Sequence, residues 1–196
     1  MFFAKKSNAP AWIAVFLGNP GARYDNTRHN AGFMAADIFA ESAGVKISRL
    51  KFGALTATAA LGGRPALIMK PQTFMNLSGG PVWQAMAFYK IPLERVIVVA
   101  DDAALPAGKL RVKRRGSAGG HNGLKDIIAK CGGEGFPRIK IGVGGPPHGG
   151  YDMADWVLAK LSGEDAKLIY DAAGRAALAL EAIASLGVDA AMVKFN

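Results

Sequence analysis

The 196-residue chain reads as a single α/β domain built on a mixed β-sheet. Three observations carry that reading. Apolar runs of strand length alternate with stretches of helical spacing, the pattern of a layered α/β fold. The pair Gly62-Gly63 separates two β-like segments. That is a hairpin signal, and a hairpin makes the sheet mixed rather than purely parallel. Hydrophobic residues make up 51% of the chain and charged ones 20%, so a core can form without metals or disulfides. No repeat or linker divides residues 1–196, so they read as one domain.

The elements follow in chain order. Residues 1–11 read as a mobile leader, and the opening Met-Phe-Phe-Ala-Lys-Lys lacks the pattern of a signal peptide. Ile13–Leu17 is an apolar run and reads as a buried strand. Asn19-Pro20-Gly21 is turn chemistry, because Pro presets φ and Gly accepts a positive one. Thr27 is a candidate N-cap that would put His29 in the first turn of a helix running from Asn30 to Gly44. Phe52–Leu61 and Pro65–Met69 are the hairpin strands. The loop from Lys70 to Gly80 ends in a second candidate cap, Ser78, and a helix from Pro81 to Tyr89 follows. Arg95–Ala100 is the strongest buried strand, and Lys109–Arg115 alternates like a half-exposed one. A helix opens at Gly120 or His121 and runs to Lys130, and Arg138–Val143 is a further strand. Residues 144–150 hold Pro-Pro and four glycines, and residues 144–155 read as a mobile loop or lid. Ala154–Leu161 and Glu164–Leu186 read as helices.

Charge narrows the function. The net charge is +9 and the pI is about 9.8. A domain this basic meets a polyanion, most often nucleic acid, although solubility alone is the alternative. Cys131 is the single cysteine, so no internal disulfide forms and a reducing cytoplasm fits. No apolar run is long enough to span a bilayer.

The chemistry gathers around residues 18–32, where a strand exit, a tight turn and His29 meet. Acids at the end of a central strand sit where such sheets open to ligand, and Asp101-Asp102 follow the Arg95–Ala100 strand. Carboxylate plus imidazole is the minimal general-base pair. The alternatives are a histidine serving as a polar cap and two solvated acids starting a turn. Ser78 and Ser117 lack a nucleophile motif, and Cys131 has no activating neighbour. His29, His121 and His148 are scattered, with no metal-ligand spacing. No phosphate-binding glycine fingerprint occurs. A base-activated water is then the economical route to hydrolysis.

Lys109, Arg111, Lys113 and Arg115 fall at period two and project from one face of their strand, with Lys140 adding to the field. Such a face suits sequence-tolerant phosphate binding, and a solvated edge strand is the alternative. The glycine-rich lead into His121-Asn122 opens a helix whose free N–H groups would suit an anion. Asn19, Asn76 and Asn122 stand at element boundaries, each with a donor and an acceptor.

Together these stretches closely resemble the bacterial-type peptidyl-tRNA hydrolases. The matches are Gly18-Asn-Pro-Gly-Ala-Arg-Tyr-Asp-Asn-Thr-Arg-His-Asn-Ala-Gly32, Lys70-Pro-Gln-Thr-Phe-Met-Asn-Leu-Ser-Gly79, and Val99-Ala-Asp-Asp102 with Leu105-Pro106. Gly119-Gly-His-Asn-Gly-Leu-Lys-Asp126 and Arg138-Ile-Lys-Ile-Gly-Val-Gly144 complete the set, in the family's order.

The resemblance implies a twisted mixed sheet flanked by helices on both faces, and a monomeric esterase needing no cofactor or metal. Its substrate would be peptidyl-tRNA from aborted translation, held by the acceptor stem and 3′ end. It implies His29 as catalytic base, Asp101 as the acid behind it and Asn19 as the sensor of a blocked amino group. Tyr24, Phe74, Asn76 and Asn122 would contact tRNA and substrate, Met75 would wall the pocket, and Lys113 with Lys140 would clamp the 5′-phosphate. The chain departs from the family around Asp101. Ala100, Ala103 and Ala104 replace a histidine, an apolar residue and a second acid, which bears on the turn's rigidity and field. Lys140 replaces a residue that is often Arg, keeping charge but losing a bidentate fork. A non-enzymatic RNA-binding member of the fold would need the same basic face without the His29, Asp101 and Asn19 set. A nucleotide-dependent enzyme is disfavoured by the missing glycine fingerprints.

Overall fold

The first strand made is the central one. The computed structural model describes residues 9–147 and 150–196. In chain order it contains β1 (Trp12–Phe16), α1 (Ala31–Ala43), β2 (Arg49–Lys51), β3 (Ala54–Leu61), β4 (Arg64–Pro71) and α2 (Gly79–Tyr89). Then come β5 (Val96–Asp102), β6 (Leu110–Lys113), α3 (Asn122–Cys131), β7 (Arg138–Gly142), α4 (Met153–Leu158), α5 (Gly163–Leu186) and α6 (Val188–Phe195). The seven strands form one sheet in the order β2-β3-β4-β1-β5-β7-β6. β4, β1, β5 and β7 run parallel, while β2, β3 and β6 pair antiparallel at the two edges. The sheet is mixed, as the Gly62-Gly63 hairpin requires.

Strand periodicity sorts the core into two layers. Ile13, Val15, Val96 and Val98 face one way, into a core with Val82, Ala85, Leu124 and Ile127 of α2 and α3. Ala14, Phe16, Ile97 and Val99 face the other, with Ala35, Ala36, Phe39, Ala176 and Leu180 of α1 and α5. β1 and β5 are covered on both faces, which is why they read as continuous apolar runs. No helix among the described residues is long and apolar enough to cross a membrane.

Several expectations are corrected. His29 stands in a 3-10 turn, Arg28–Asn30, ahead of α1 rather than inside it. Thr27 precedes that turn, but its hydroxyl donates to the Tyr24 carbonyl (2.8 Å) instead of capping. Ser78 likewise turns back to the Met75 carbonyl (2.8 Å), and α2 starts earlier, at Gly79. β5 extends to Asp102, so both acids are strand residues. β6 covers only Leu110–Lys113, which leaves Lys109 and Arg115 outside it. Within the 144–155 loop, residues from Met153 onward are helical, and Asp152 caps them through the Ala154 N–H (2.6 Å). The Trp156 indole donates to the Gly144 carbonyl (2.7 Å), tying that helix to the end of β7. Most of the expected leader (residues 1–8) and His148 lie outside the described residues.

One close approach positions the site. A side-chain carbon on Gly32 would lie 2.3 Å from the Leu17 carbonyl oxygen and 2.8 Å from that of Val99. Only glycine lets α1 begin against the backbone of β1 and β5. That contact carries the preceding turn, with His29, to the C-terminal end of β5.

Candidate active site

The C-terminal ends of the parallel strands open into a cleft of about 580 Å³, the place where such sheets receive ligands. β1 runs out into Asn19, which is followed by Pro20 and then Gly21 at φ 105°, a conformation that favours glycine. β4 leads to Phe74, Met75 and Asn76, β5 ends in Asp101 and Asp102, and α3 begins with Asn122. Asn19, Tyr24, His29, Phe74, Met75, Asn76, Asp101, Asn122 and Lys140 all line the cleft. Lys113 does not. The β6–β7 register sets Arg111 opposite Lys140 and Lys113 opposite Arg138. The expected Lys113–Lys140 pair is therefore diagonal across the strands.

At the centre, His29 Nδ1 lies 2.8 Å from Asp101 Oδ1. Asp101 is only 3% exposed, so Nδ1 carries the proton and Nε2 is the nitrogen left for the cleft. Burial lowers the His29 pKa, but the Asp101 charge and hydrogen bond outweigh it and hold the imidazole above its ordinary value. Burial raises the Asp101 carboxyl, and the two imidazoles around it hold it well below the usual carboxylate range.

The second imidazole is His121, absent from the residues expected at the site. Sequence distance had set it apart from His29, yet the ring centroids are 4.9 Å apart. His121 Nε2 is 3.0 Å from the same Asp101 oxygen. Its Nδ1 accepts the backbone N–H groups of Gly123 (3.1 Å) and Leu124 (3.3 Å), capping α3. Nδ1 is thus an acceptor and Nε2 the donor, which fixes the tautomer. The cap also corrects the reading of this helix start as an anion site, because these N–H groups are already taken. The signal available in the sequence was the position of a histidine just ahead of a helix.

Asn19 is held as firmly. Its Oδ1 accepts the Met75 N–H (2.8 Å), while its backbone N–H and carbonyl bond the amide of Asn30 (2.8 and 3.0 Å). With its acceptor engaged, the Asn19 side chain has its NH₂ donors left for the cleft. Asn30, another unanticipated residue, orients it. Asp102 turns the other way from Asp101 and pairs with Lys140 at 2.7 Å, both nearly buried. Asp102 also accepts the Ala104 N–H (2.9 Å), which fixes the turn where Ala103 and Ala104 stand. Arg138 is fully buried, and its guanidinium donates to the Gly116, Ser117 and Glu134 carbonyls, anchoring the loop ahead of His121. Cys131 is half-buried, and burial above all pushes its thiol up to about 11, so it is no nucleophile.

The chain is similar to known proteins over nearly its whole length. A family model described as peptidyl-tRNA hydrolase matches residues 13–196. The chain is 48% identical to a peptidyl-tRNA hydrolase of Caldanaerobacter subterraneus subsp. tengcongensis, over 94% of this chain and 99% of that one. It is 47% identical to one from Lacticaseibacillus casei, again over 94% and 99%. The crystal structure of peptidyl-tRNA hydrolase from Acinetobacter baumannii superposes with a TM-score of 0.88 at 32% identity, covering 99% of this chain and 97% of that one.

Proposed function

The chain belongs to the peptidyl-tRNA hydrolase family, and from that premise we propose that it hydrolyses the ester joining a peptide, or an N-blocked amino acid, to the 3′ ribose of tRNA. It would thereby recycle tRNA from peptidyl-tRNA released in aborted translation. The observation that carries this reading is the buried His29–Asp101 pair lining the cleft, with no hydrogen-bond partner on Nε2 among the described residues.

Nε2 takes a proton from a water, and the hydroxide adds to the ester carbonyl carbon. The carbonyl electron pair moves to oxygen. Asn76 and Asn122, exposed on the cleft wall, offer amide donors to that oxyanion. Collapse expels the ribose 3′ oxygen, which takes the proton back from His29. The tRNA leaves with a free 3′ hydroxyl and the peptide as a carboxylic acid, which loses its remaining proton to solvent. Asp101 stabilises the transient imidazolium.

The fixed donors of Asn19 explain selectivity. A blocked amino group brings a carbonyl acceptor to meet them, whereas a free ammonium brings only donors. Mismatches of this kind discriminate strongly.

The donor set also supports chemistry without a metal. His29, Asp101 and His121 place their facing atoms within 4.8 Å of one another. A cation bound at His121 Nε2 would force that ring's proton onto Nδ1, against two backbone N–H groups. Every residue in the scheme comes from this chain, so a monomer suffices. A purely RNA-binding role needs the basic edge but leaves the buried pair unexplained.

The test supplies N-acetylaminoacyl-tRNA and free aminoacyl-tRNA to the wild-type protein and follows the released acid. Release from the blocked ester with the free ester spared is expected. No release from the blocked ester overturns the reading.

A further inference from the structure

At the opposite end of the strands lies a second crevice, of about 650 Å³. Trp12 opens β1 there, Arg64 opens β4, Arg95 precedes β5, and Arg114 and Arg115 follow β6. All five line the crevice, with Glu94 as its one carboxylate and glycine, proline and aliphatic residues completing the wall. Arg114 is paired with Asp189. Arg64, Arg95 and Arg115 have no carboxylate partner among the described residues. The Arg95 guanidinium lies 4.7 Å from the Trp12 ring centroid. The indole N–H of Trp12 is buried with no acceptor. The wall is thus rich in donors and positive charge and poor in acceptors.

Unpaired guanidinium groups crowded around one concavity repel each other, and an anion relieves the repulsion. Guanidinium favours phosphate in particular, through its planar fork. We propose that this crevice is a second phosphate site, which receives the phosphodiester backbone of an RNA strand lying along β6. β6 leads from the cleft end of the sheet to the crevice, and its outward residues, Arg111 and Lys113, are exposed cations. The crevice has little with which to read a base, so it contributes affinity without sequence preference. The choice of RNA over a free phosphate compound rests on the hydrolase reading.

The test is the double variant Arg64→Ala/Arg115→Ala, two exposed side chains whose removal leaves the core intact. Its probes are deacylated tRNA, inorganic pyrophosphate, and a minimal substrate with an N-acetylaminoacyl ester on the 3′-terminal nucleotide alone. The Kd for tRNA should rise roughly tenfold at low salt, and the salt slope should shrink by about two, one for each phosphate no longer neutralised. Turnover of the minimal substrate should not change. An unchanged tRNA affinity and slope overturns the RNA site. If pyrophosphate binding disappears in the variant while tRNA affinity holds, a free phosphate compound is the occupant and the RNA source is wrong. If neither protein turns over the minimal substrate, the hydrolase reading fails, and the tRNA titration still reports on the crevice.

Discussion

At the C-terminal end of the strands, Asp101 and Asp102 are adjacent, nearly buried and paired, one with His29 and His121 and the other with Lys140. Along β6 and at the opposite end of the sheet, Arg111, Lys113, Arg64, Arg95 and Arg115 have no carboxylate partner among the described residues. The first set depends on geometry and is shielded from salt by burial. The second acts through a field that dissolved ions screen within about 8–10 Å. Turnover and tRNA affinity should therefore separate in this molecule, and single substitutions can test that separation.

The largest effect should belong to His29, the proposed base. His29→Ala should lower turnover by ~10²–10⁴ while the Kd for deacylated tRNA and its salt slope stay fixed. Steady-state kinetics beside a binding titration decide it. Wild-type turnover in a folded variant would remove the base from the mechanism.

Asp101→Asn should cost turnover on the order of 10² and also move the pH profile. Asp101 raises the His29 pKa, and the base works only when neutral, so the rate falls as pH drops through that raised value. Removing the charge lowers the His29 pKa and shifts the acid limb to lower pH. A pH–rate series in which the limb stays in place would make Asp101 a structural residue only.

The two lysines sharpen the contrast. Lys113→Ala should weaken tRNA binding a few-fold and shrink the salt slope by about one, with melting temperature unchanged. Lys140→Ala leaves Asp102 unpaired, a loss of about 3 kcal/mol for a buried pair, so thermal melting should register it first. Equal salt slopes in both variants would show that burial and pairing do not divide the two sets. The smallest effect is none at all, since exhaustive chelation should leave turnover unchanged. A loss restored by Zn²⁺ would mean that the His121 cap yields to a metal.

What the sequence showed and hid follows from the same physics. β1 and β5 were legible because both of their faces are buried. β2 was not, since three residues at a sheet edge, with Leu50 71% exposed, carry no periodicity. α6 was hidden behind Gly187, which reads as the end of the preceding helix. His29 and Asp101 were legible as residues at strand exits. His121 and Asn30 were not, because one meets Asp101 across sequence-distant segments and the other acts through the backbone of Asn19. The Asp102–Lys140 pair needed the β5–β7 register, which no local pattern encodes. Thr27 and Ser78 have cap chemistry, but their hydroxyls found nearer carbonyls.

The position of β1 has a consequence for how the protein comes into being. This strand leaves the ribosome early, yet its hydrogen-bonding partners are β4 and β5, synthesised much later. Until residues 64–71 and then 96–102 have emerged, the most apolar strand of the N-terminal region has no neighbour to pair with. Asn19 and His29 exist in the nascent chain long before Asp101 and the His121 loop that complete their surroundings. Parallel pairings at such separations form slowly, after a long loop has closed. The growing polypeptide thus passes through a period in which a sticky strand is exposed and no ester can be cut. Catalytic competence then waits until β5 and the start of α3, both made well after β1, have joined it.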